Sequence, residues 1–525
     1  MLPLHGQPIY APECLVLKPS TPLFSPSLLP FLGAAYASRV PVQALPEPHW
    51  VARNAPLAQS WGLNADWLGS DAALVLLAGN SENAAEFHAS AYSGHQFGHW
   101  AGQLGDGRAL YLGQIDTLQG VQEIQLKGAG RTPYSRGGDG RAVLRSTVRE
   151  YLASIAMQGL GIPTTAALAI VGSPYPVYRE EAETAAVLTR SAPSFIRFGH
   201  FEHFAAHAAR TGDSLLLQTL VDTTIARYYP DCLGADQPVL AWLGQVVQRS
   251  AELVAAWQAV GFCHGVMNTD NMSILGLTLD YGPYQWLDAY DPEHICNHSD
   301  TQGRYRYSRQ PAVMRWNLFC LGQALLPVLA KSLGEEAASA GLIAELEKFG
   351  DAYSRAWQKR MAAKLGLPQL NAVSLPLLQG LLDLLAQNRC DWTIFWRRWA
   401  IALNAYAAQA EVKAFDPVRD VFIQREGFDA WLVDFLAYLA PQLLHTDTQA
   451  DTQNAIAHTL QTNPVYVLRN HLAQEAIAAA QAGDFAPIEK LATALRSPYA
   501  EQAGCEHYAA FPPDWAAGIA VSCSS

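Results

Sequence analysis

The segment from His264 to Gly282 carries side chains that could hold a metal ion beside a bound phosphate. It contains His264-Gly-Val-Met-Asn-Thr-Asp270-Asn271, followed by Asp280-Tyr-Gly282. Oxygen atoms are the ligands that Mg²⁺ takes in proteins, where it often bridges the protein and the phosphates of a substrate. Asn271 and Asp280 are therefore the candidate metal ligands.

The spacing of these residues is typical of kinase-like enzymes. In those enzymes a helix leads into His-x-Asp-x-x-x-x-Asn, in which the Asp is the catalytic base, and Asp-x-Gly follows. A predicted helix precedes His264, and Asn271 and Asp280 fit the pattern, but Val266 occupies the position of the catalytic Asp. Valine cannot accept a proton, and Asp270 is the only nearby carboxylate. The sequence thus predicts nucleotide and metal ligands without the usual phosphoryl-transfer base.

A lysine and a glutamate further upstream fit the same pattern. Lys127 ends a predicted strand before the turn Gly128-Ala-Gly130, and Glu150 lies on the next predicted helix. In kinase-like folds such a pair aims the ammonium group at nucleotide phosphates. The alternative is a surface ion pair, which contributes little. A lysine between a strand and a glycine turn is poorly placed for solubility alone.

Glycine-rich and basic segments surround Lys127. The glycines of Gly102-Gln-Leu-Gly105-Asp-Gly107-Arg108 could bring backbone N–H groups close to a phosphate, although a hairpin turn has the same pattern. From Lys127 to Arg149, six cations accompany one Asp, in Gly137-Gly-Asp139-Gly140. This island suits either a polyanionic ligand or a solvated basic face.

Two arginines fall between the strand-rich and helix-rich parts. Arg190 and Arg197 could bind phosphate from a cleft or tie the two parts together through salt bridges. The sequence leaves both possibilities open.

Other groups of possible ligands are weaker candidates. The histidines at 88, 95 and 99 and at 200, 203 and 207 lie beside Phe and Trp, where histidines are more often packed than metal-bound. His294-Ile-Cys296-Asn-His298 has zinc-like spacing but no evident fourth ligand. No Gly-x-Ser-x-Gly motif and no Walker A motif occur.

Composition narrows the class of protein. The 525 residues are 50% hydrophobic and 16% charged, which predicts a large packed core rather than a disordered chain. The net charge of −12 disfavours non-specific binding to nucleic acid. The eight cysteines have no Cys-x-x-Cys spacing, and we find neither a signal-peptide pattern nor an 18-residue apolar run. We expect a cytoplasmic monomer that contacts neither nucleic acid nor membrane.

Hydrophobic periodicity predicts a small strand-rich lobe followed by a large helical lobe. Predicted strands cover 108–115, 121–127, 166–172 and 185–189, with one helix at 141–158 between them. Later helices are predicted at 213–229, 239–260, 313–332, 336–365, 374–387, 394–412, 428–440 and 468–481. The expected divisions are an irregular extension at 1–85, a strand-rich lobe at 86–190, a helical lobe at 191–440, and a helical extension with a Cys-bearing tail at 441–525.

Five segments together resemble the selenoprotein O family and its bacterial relatives. They are Tyr92-Ser-Gly-His-Gln-Phe-Gly-His99, Gly105-Asp-Gly-Arg108, Lys127-Gly-Ala-Gly-Arg-Thr-Pro-Tyr-Ser-Arg136, His264 to Met272, and Asp280-Tyr-Gly-Pro283. The tail Val521-Ser-Cys523 is similar to that of family members, some of which carry selenocysteine where this chain has Cys523.

This resemblance implies an α+β, protein-kinase-like bilobal fold and transfer of AMP from ATP to hydroxyl side chains of proteins. Asp270 is then the proton acceptor, Asn271 and Asp280 hold Mg²⁺, with Mn²⁺ possible, and Glu150 supports Lys127. The residues implied to contact nucleotide are Gly105, Gly107, Arg108, Lys127, Asp139, Gly140, Arg190, Arg197 and Asp280.

Alternatives to this function stay open at the level of sequence. They are an ordinary kinase, a non-catalytic nucleotide-binding scaffold, and transfer of UMP from UTP with Mn²⁺. We expect protein substrates, which could be redox-related. A further hypothesis is that Cys523 forms a disulfide with Cys296 under oxidation.

Overall fold

The structure, a computed structural model, describes residues 22–80 and 87–521. The strands in these residues begin with two from the N-terminal region and continue through the rest of the chain. They are β1 (Ala37–Val40), β2 (His49–Arg53), β3 (Phe87–Ser90), β4 (Ser93–Gln96), β5 (His99–Gln103), β6 (Ala109–Thr117), β7 (Gly120–Lys127), β8 (Ala142–Val143), β9 (Ala166–Tyr178), β10 (Ala182–Ala192), β11 (Phe262–Cys263) and β12 (Gln285–Trp286).

An antiparallel sheet forms the smaller half of the molecule. Its order is β1-β3-β6-β7-β10-β9-β2, with β8 also paired to β10. Alternation along β6 sends Leu110 and Leu112 to one face and Tyr111 to the other. The first face packs against Trp61 and Trp67 of the N-terminal region, and the second packs against the helix that carries Glu150. Lys127 ends β7, which lies between β6 and β10 near the middle of the sheet.

The helices dominate the rest of the chain. They are α1 (Leu28–Leu32), α2 (Ala55–Ser60), α3 (Ala65–Leu68), α4 (Asp71–Leu77), α5 (Leu144–Gly159), α6 (Phe198–Thr211), α7 (Leu215–Tyr228), α8 (Pro238–Ala259), α9 (Gln310–Leu333), α10 (Glu335–Glu347), α11 (Phe349–Leu365), α12 (Ser374–Gln387), α13 (Trp392–Gln409), α14 (Asp416–Arg419), α15 (Arg425–Leu444), α16 (Thr446–Thr462), α17 (Asn470–Gln481) and α18 (Ala486–Arg496).

Two apolar cores hold the helices from α5 onward, and α2 to α4 pack in a third core on the outer face of the sheet. The larger contains α5, α8 and α9, so it joins the sheet to the helical half. The second is rich in aromatic rings, among them Trp396, Trp399 and Phe435. Within the described residues, one stretch, Tyr307–Leu333, is long and apolar enough to cross a membrane by length and composition. However, 61% of its most apolar window is buried inside the protein, which is typical of a core helix.

The α+β, kinase-like bilobal arrangement predicted from the sequence is confirmed, with some boundaries corrected. The predicted helix 336–365 is two helices, α10 and α11, which meet at Lys348; α10 packs mainly on α9 and α11 mainly on α8. The predicted helix 141–158 begins only at Leu144, because Ala142 and Val143 pair with β10. The N-terminal region is not irregular in residues 22–80, since β1 and β2 join the main sheet.

Candidate active site

One cleft between the sheet and the helical half collects most of the residues singled out from the sequence. Its volume is about 460 Å³. The predicted site residues that line it are Gly105, Gly107, Arg108, Lys127, Asp139, Gly140, Arg190, Arg197, Asp270, Asn271 and Asp280. Seven cationic side chains and four carboxylates line it among the described residues, although the chain has a net charge of −12. This local excess of cations suits a polyanionic ligand.

A buried network of charges forms the floor of the cleft. Lys127 Nζ lies 2.5 Å from Glu150 Oε2 on α5, and it also donates to Oδ1 of Asp280. Arg190 on β10 reaches both carboxylates, 3.1 Å from Glu150 Oε1 and 3.2 Å from Asp280 Oδ1. Glu150 does not line the cleft and instead supports Lys127 from behind. The network therefore connects the sheet, α5 and the Asp280 loop.

Asp280 is held ionised in a strained backbone conformation. Burial opposes its ionisation, but the charges of Lys127, Arg190 and Arg197 hold its pKa well below the ordinary value. Its φ is +62°, in the left-handed region that residues other than glycine seldom adopt. Such strain is often found at functional sites.

Arg197 joins the glycine-rich loop to the loop that carries Asp270. It precedes α6 and donates from Nη1 to the backbone oxygen of Asp270 at 3.0 Å. Its Nη2 lies 3.6 Å from Asp106 Oδ1, and its guanidinium lies 4.9 Å from the centre of the Tyr92 ring. Asp106 in turn accepts hydrogen bonds from the N–H and the hydroxyl of Ser90. These contacts hold a cation in place at the junction of the two halves.

Glycines allow the loop around Asp106 to pack tightly. Gly105 has φ +149°, and a Cβ there would lie 2.4 Å from Cγ of Tyr134 and 2.8 Å from the backbone oxygen of Ser90. Ser135 Oγ donates to the Gly107 carbonyl at 2.5 Å. The segment with Tyr134 and Ser135 therefore covers this loop.

Asp139 and Gly140 also line the cleft. Both oxygens of Asp139 accept from Arg179, at 2.8 and 2.9 Å, and this pairing lowers the Asp139 pKa. Gly140 has φ +70°, and a Cβ there would lie 2.1 Å from the Gly130 carbonyl oxygen. Asp139 is thus paired with a cation that also lines the cleft.

Asp270 faces the cleft from a short 3₁₀ turn, Thr269–Asn271. Its Oδ2 accepts from Gln96 Nε2 at 3.2 Å, while its Oδ1 is buried without a hydrogen-bond partner among the described residues. Burial raises the pKa of Asp270 to about 6, although the Arg197 charge works against this shift. A carboxylate in this state suits a proton acceptor.

Asn271 and Asp280 could hold a divalent ion. The Asn271 amide nitrogen donates a hydrogen bond to the Val266 carbonyl at 3.1 Å, which leaves the amide oxygen available as a metal ligand. Both residues line the cleft and offer oxygen atoms, the ligands that Mg²⁺ and Mn²⁺ prefer. The donor set therefore fits such an ion.

Some expected groups lie elsewhere. Arg145 pairs with Glu183 at 2.8 Å, and Arg149 donates to the Tyr284 carbonyl at 2.9 Å. Neither lines the cleft, so the predicted basic island does not act as one surface. Cys296 is 5% exposed and also lies outside the cleft lining. Cys523 lies outside the described residues.

Several residues of the cleft lining were not predicted as site residues, and four of them make contacts that matter for the site. They are Gln96, Asp106, Tyr134 and Arg179. Gln96 and Tyr134 lie inside segments that carried the family resemblance, and Asp106 lies between two predicted glycines. Arg179 follows β9 and is brought to Asp139 only by the sheet, so no local pattern could have predicted it.

The fold and the cleft define a kinase-like, nucleotide-binding class of protein. Residues 22–496 match the family described as Protein adenylyltransferase SelO. A relative from Variovorax paradoxus is named Protein nucleotidyltransferase YdiU; it is 51% identical over 500 residues, which cover 94% of this chain and 95% of the relative.

Relatives from Albidiferax ferrireducens and Burkholderia pseudomallei carry the same name. They are 50% and 48% identical over 505 residues, with coverage of 94% of this chain in each case and 95% and 94% of the relatives. The chain belongs to the SelO family of protein adenylyltransferases, and it is a nucleotidyltransferase.

Replacing Glu150 tests the network. We expect Glu150→Gln to lower the free energy of unfolding by about 3 kcal/mol, because it leaves Lys127 and Arg190 to share one carboxylate. Chemical denaturation measures the change. Glu489→Gln, which breaks an exposed pair with Arg496, is the control and should cost less than about 1 kcal/mol. Equal costs for the two variants would contradict the importance of the buried network.

Gly105→Ala tests the close packing of the loop. We expect nucleotide binding to weaken by roughly tenfold or more, because the added methyl group meets the Tyr134 ring and the Ser90 carbonyl. Gly102→Ala is the control, since Gly102 also has positive φ, +71°, but nothing lies within 4 Å of an added Cβ. Calorimetric titration with ATP and Mg²⁺ compares them; equal affinities would contradict the packing argument.

The predicted disulfide can be tested by peptide mapping. The His298 N–H donates to the Val521 carbonyl at 3.1 Å, which places the last described residue beside the Cys296 segment. Burial, and then Cys263, raise the Cys296 pKa well above its ordinary value, so the pairing with Cys523 should form slowly. Non-reducing mapping after peroxide, which removes two electrons and two protons from the thiols, should find the linked peptides. Free thiols at both Cys296 and Cys523 after this oxidation would contradict the predicted disulfide.

Proposed function

We propose that this protein transfers AMP from ATP to Ser, Thr or Tyr hydroxyls of target proteins and releases pyrophosphate. The observation that carries the proposal is the position of Asp270. Its Oδ1, which is buried and has no hydrogen-bond partner among the residues that the structure describes, lies in the same cleft as the cations and the two metal donors, while Val266 occupies the place of the kinase base. The family description, protein adenylyltransferase, supports AMP as the transferred group.

Each role follows from the chemistry of the side chain. Asp270 accepts the proton of the target hydroxyl, whose oxygen attacks the α-phosphorus. The bond from the α-phosphorus to the bridging oxygen breaks, and the electron pair leaves with pyrophosphate. Lys127, Arg190 and Arg197 stabilise the negative charge on the phosphate oxygens.

A divalent ion is part of the proposal. Asn271 and Asp280 hold Mg²⁺, or Mn²⁺, which supplies charge neutralisation at the phosphates. Arg108, Gly105 and Gly107 lie at the glycine-rich loop, where they bind the phosphate chain. The names of the relatives state nucleotidyl transfer but do not say which nucleotide is transferred. The second candidate is therefore the transfer of UMP from UTP with Mn²⁺.

Parallel labelling decides which group is transferred. With Mg²⁺, we expect label from α-labelled ATP, and none from γ-labelled ATP, to remain on protein. Intact mass spectrometry should find added AMP rather than phosphate. Retention of the γ-label would make the protein a kinase; tight binding without transfer of either label would make it a scaffold. Greater transfer from α-labelled UTP with Mn²⁺ would favour the second substrate.

Two variants test the roles of the carboxylates. Asp270→Asn should lower the rate of AMP transfer by about 10²-fold or more and leave ATP binding nearly intact. Asp280→Ala should abolish transfer, because the metal donor is lost. Asp116→Asn, at an exposed position of β6, is the control and should transfer AMP like the wild type. Transfer at the wild-type rate by Asp270→Asn would contradict the proposal that Asp270 is the proton acceptor.

A further inference from the structure

A second group of ligand atoms lies beside the cleft and takes no part in the proposed reaction. His95 on β4, Glu202 on α6 and Cys320 on α9 each place one donor atom within 4.8 Å of the others. We call these three residues the His95 cluster. Among the described residues, neither of the two histidine groups noted in the sequence, at 88, 95 and 99 or at 200, 203 and 207, forms a set of metal ligands by itself. Instead, His95 lies near a glutamate and a cysteine from distant parts of the chain.

Only one of the two carboxylate oxygens of Glu202 has a hydrogen-bond partner among the described residues. Its side chain is 4% exposed, and Oε1 lies 2.5 Å from His95 Nδ1. Its Oε2 is buried and has no hydrogen-bond partner among the described residues. A buried carboxylate oxygen without a partner is costly, so this group lacks a donor or a cation on one side.

Two tryptophan rings and an arginine lie around the cluster. The rings of Trp100 and Trp316 meet the His95 ring edge-on, with centroids 5.2 and 5.3 Å away. Arg304 is a nearby cation, and its guanidinium lies 4.6 Å from the centre of the Trp316 ring. The Cys320 thiol is buried, and burial together with the Glu202 charge raises its pKa to about 12.

We propose that the His95 cluster binds a divalent transition metal of the zinc class through imidazole nitrogen, carboxylate oxygen and thiolate sulfur. Imidazole and thiolate select such metals over Mg²⁺. On binding, Cys320 releases its proton to solvent, and the two negative ligands balance the charge of the ion. The side chain of His95 is 24% exposed, which leaves a path for water as a fourth ligand.

Binding requires the ligand atoms to move. Ligand atoms around tetrahedral zinc lie roughly 3 Å or more apart, because each bond is about 2 Å long. His95 Nδ1 and Glu202 Oε1, now 2.5 Å apart, must therefore separate slightly as the metal enters between them. The proton that His95 Nδ1 shares with Glu202 Oε1 must also leave Nδ1, and solvent carries it to Nε2 of the same ring, so one hydrogen bond is exchanged for two metal bonds.

The metal would fasten β4 to the helical half. The backbone N–H of His95 donates to Thr269 Oγ1 at 2.8 Å, and the next residue, Gln96, donates to Asp270. The His95 cluster is therefore connected to the proposed proton acceptor, Asp270, through the neighbouring residues Gln96 and Thr269. Its donors include sulfur and nitrogen, whereas the phosphate-side donors Asn271 and Asp280 offer oxygen alone, so spectroscopy can distinguish the two sites.

Cobalt titration of the full-length protein tests the proposal. Co²⁺ should give a near-ultraviolet sulfur-to-cobalt charge-transfer band that saturates at one equivalent per chain. Cys320→Ser should lose the band. Cys390→Ser is the matched control, because Cys390 is also buried but lies in no such ligand group among the described residues; it should keep the band. A band that is absent from the wild type, or that persists in Cys320→Ser, would overturn the proposal.

Zinc affinity gives a second measurement that does not depend on catalysis. Glu202→Gln should weaken binding of Zn²⁺ by roughly tenfold or more, measured by competition with a chromophoric chelator. Asp280→Ala should keep both the cobalt band and the zinc affinity, even if the proposed AMP transfer fails. If Cys320→Ser does not fold, as judged by circular dichroism, the proposal is tested by the cobalt band of the wild type and by the zinc affinity of Glu202→Gln. Unchanged affinity in Glu202→Gln would contradict a carboxylate ligand.

Discussion

The buried ion-pair network of Lys127, Glu150, Arg190 and Asp280 is the constraint on which the cleft depends. Charges removed from water are costly unless each is paired. The side chain of Glu150 is 4% exposed, whereas that of Asp280 is 30% exposed, so the network is closed toward α5 and open toward the cleft. Phosphates can therefore replace Asp280 as partners of the cations without unpairing Glu150.

This asymmetry explains how Asp280 can have two roles. In the structure it neutralises Lys127 and Arg190, and in the proposed reaction it is a metal ligand. In that proposed reaction, the phosphates would bring the negative charge that the cations need when Asp280 binds the ion. Arg197 connects this change to the loop of Asp270, because it contacts the Asp270 backbone and lies close to Asp106.

The β4–β5 hairpin supports the site from the other side. Gln96 contacts the Asp270 carboxylate, and His95 contacts Thr269 while its ring faces Glu202. One short hairpin therefore connects the proposed proton acceptor to the His95 cluster. The position of Asp270 then depends on how firmly β4 is held against α6 and α9.

The sequence by itself determined the order of strand-rich and helical parts and the types of residue at the site. Lys127, Asn271 and Asp280 were predictable because a strand end, a glycine turn and a fixed spacing are local patterns. Only the tertiary structure decided that Arg179 reaches Asp139, that Arg145 and Arg149 turn away from the cleft, and that His95 meets Glu202 and Cys320. These contacts join residues far apart in the chain, and they depend on strand register and helix packing, which no local pattern records.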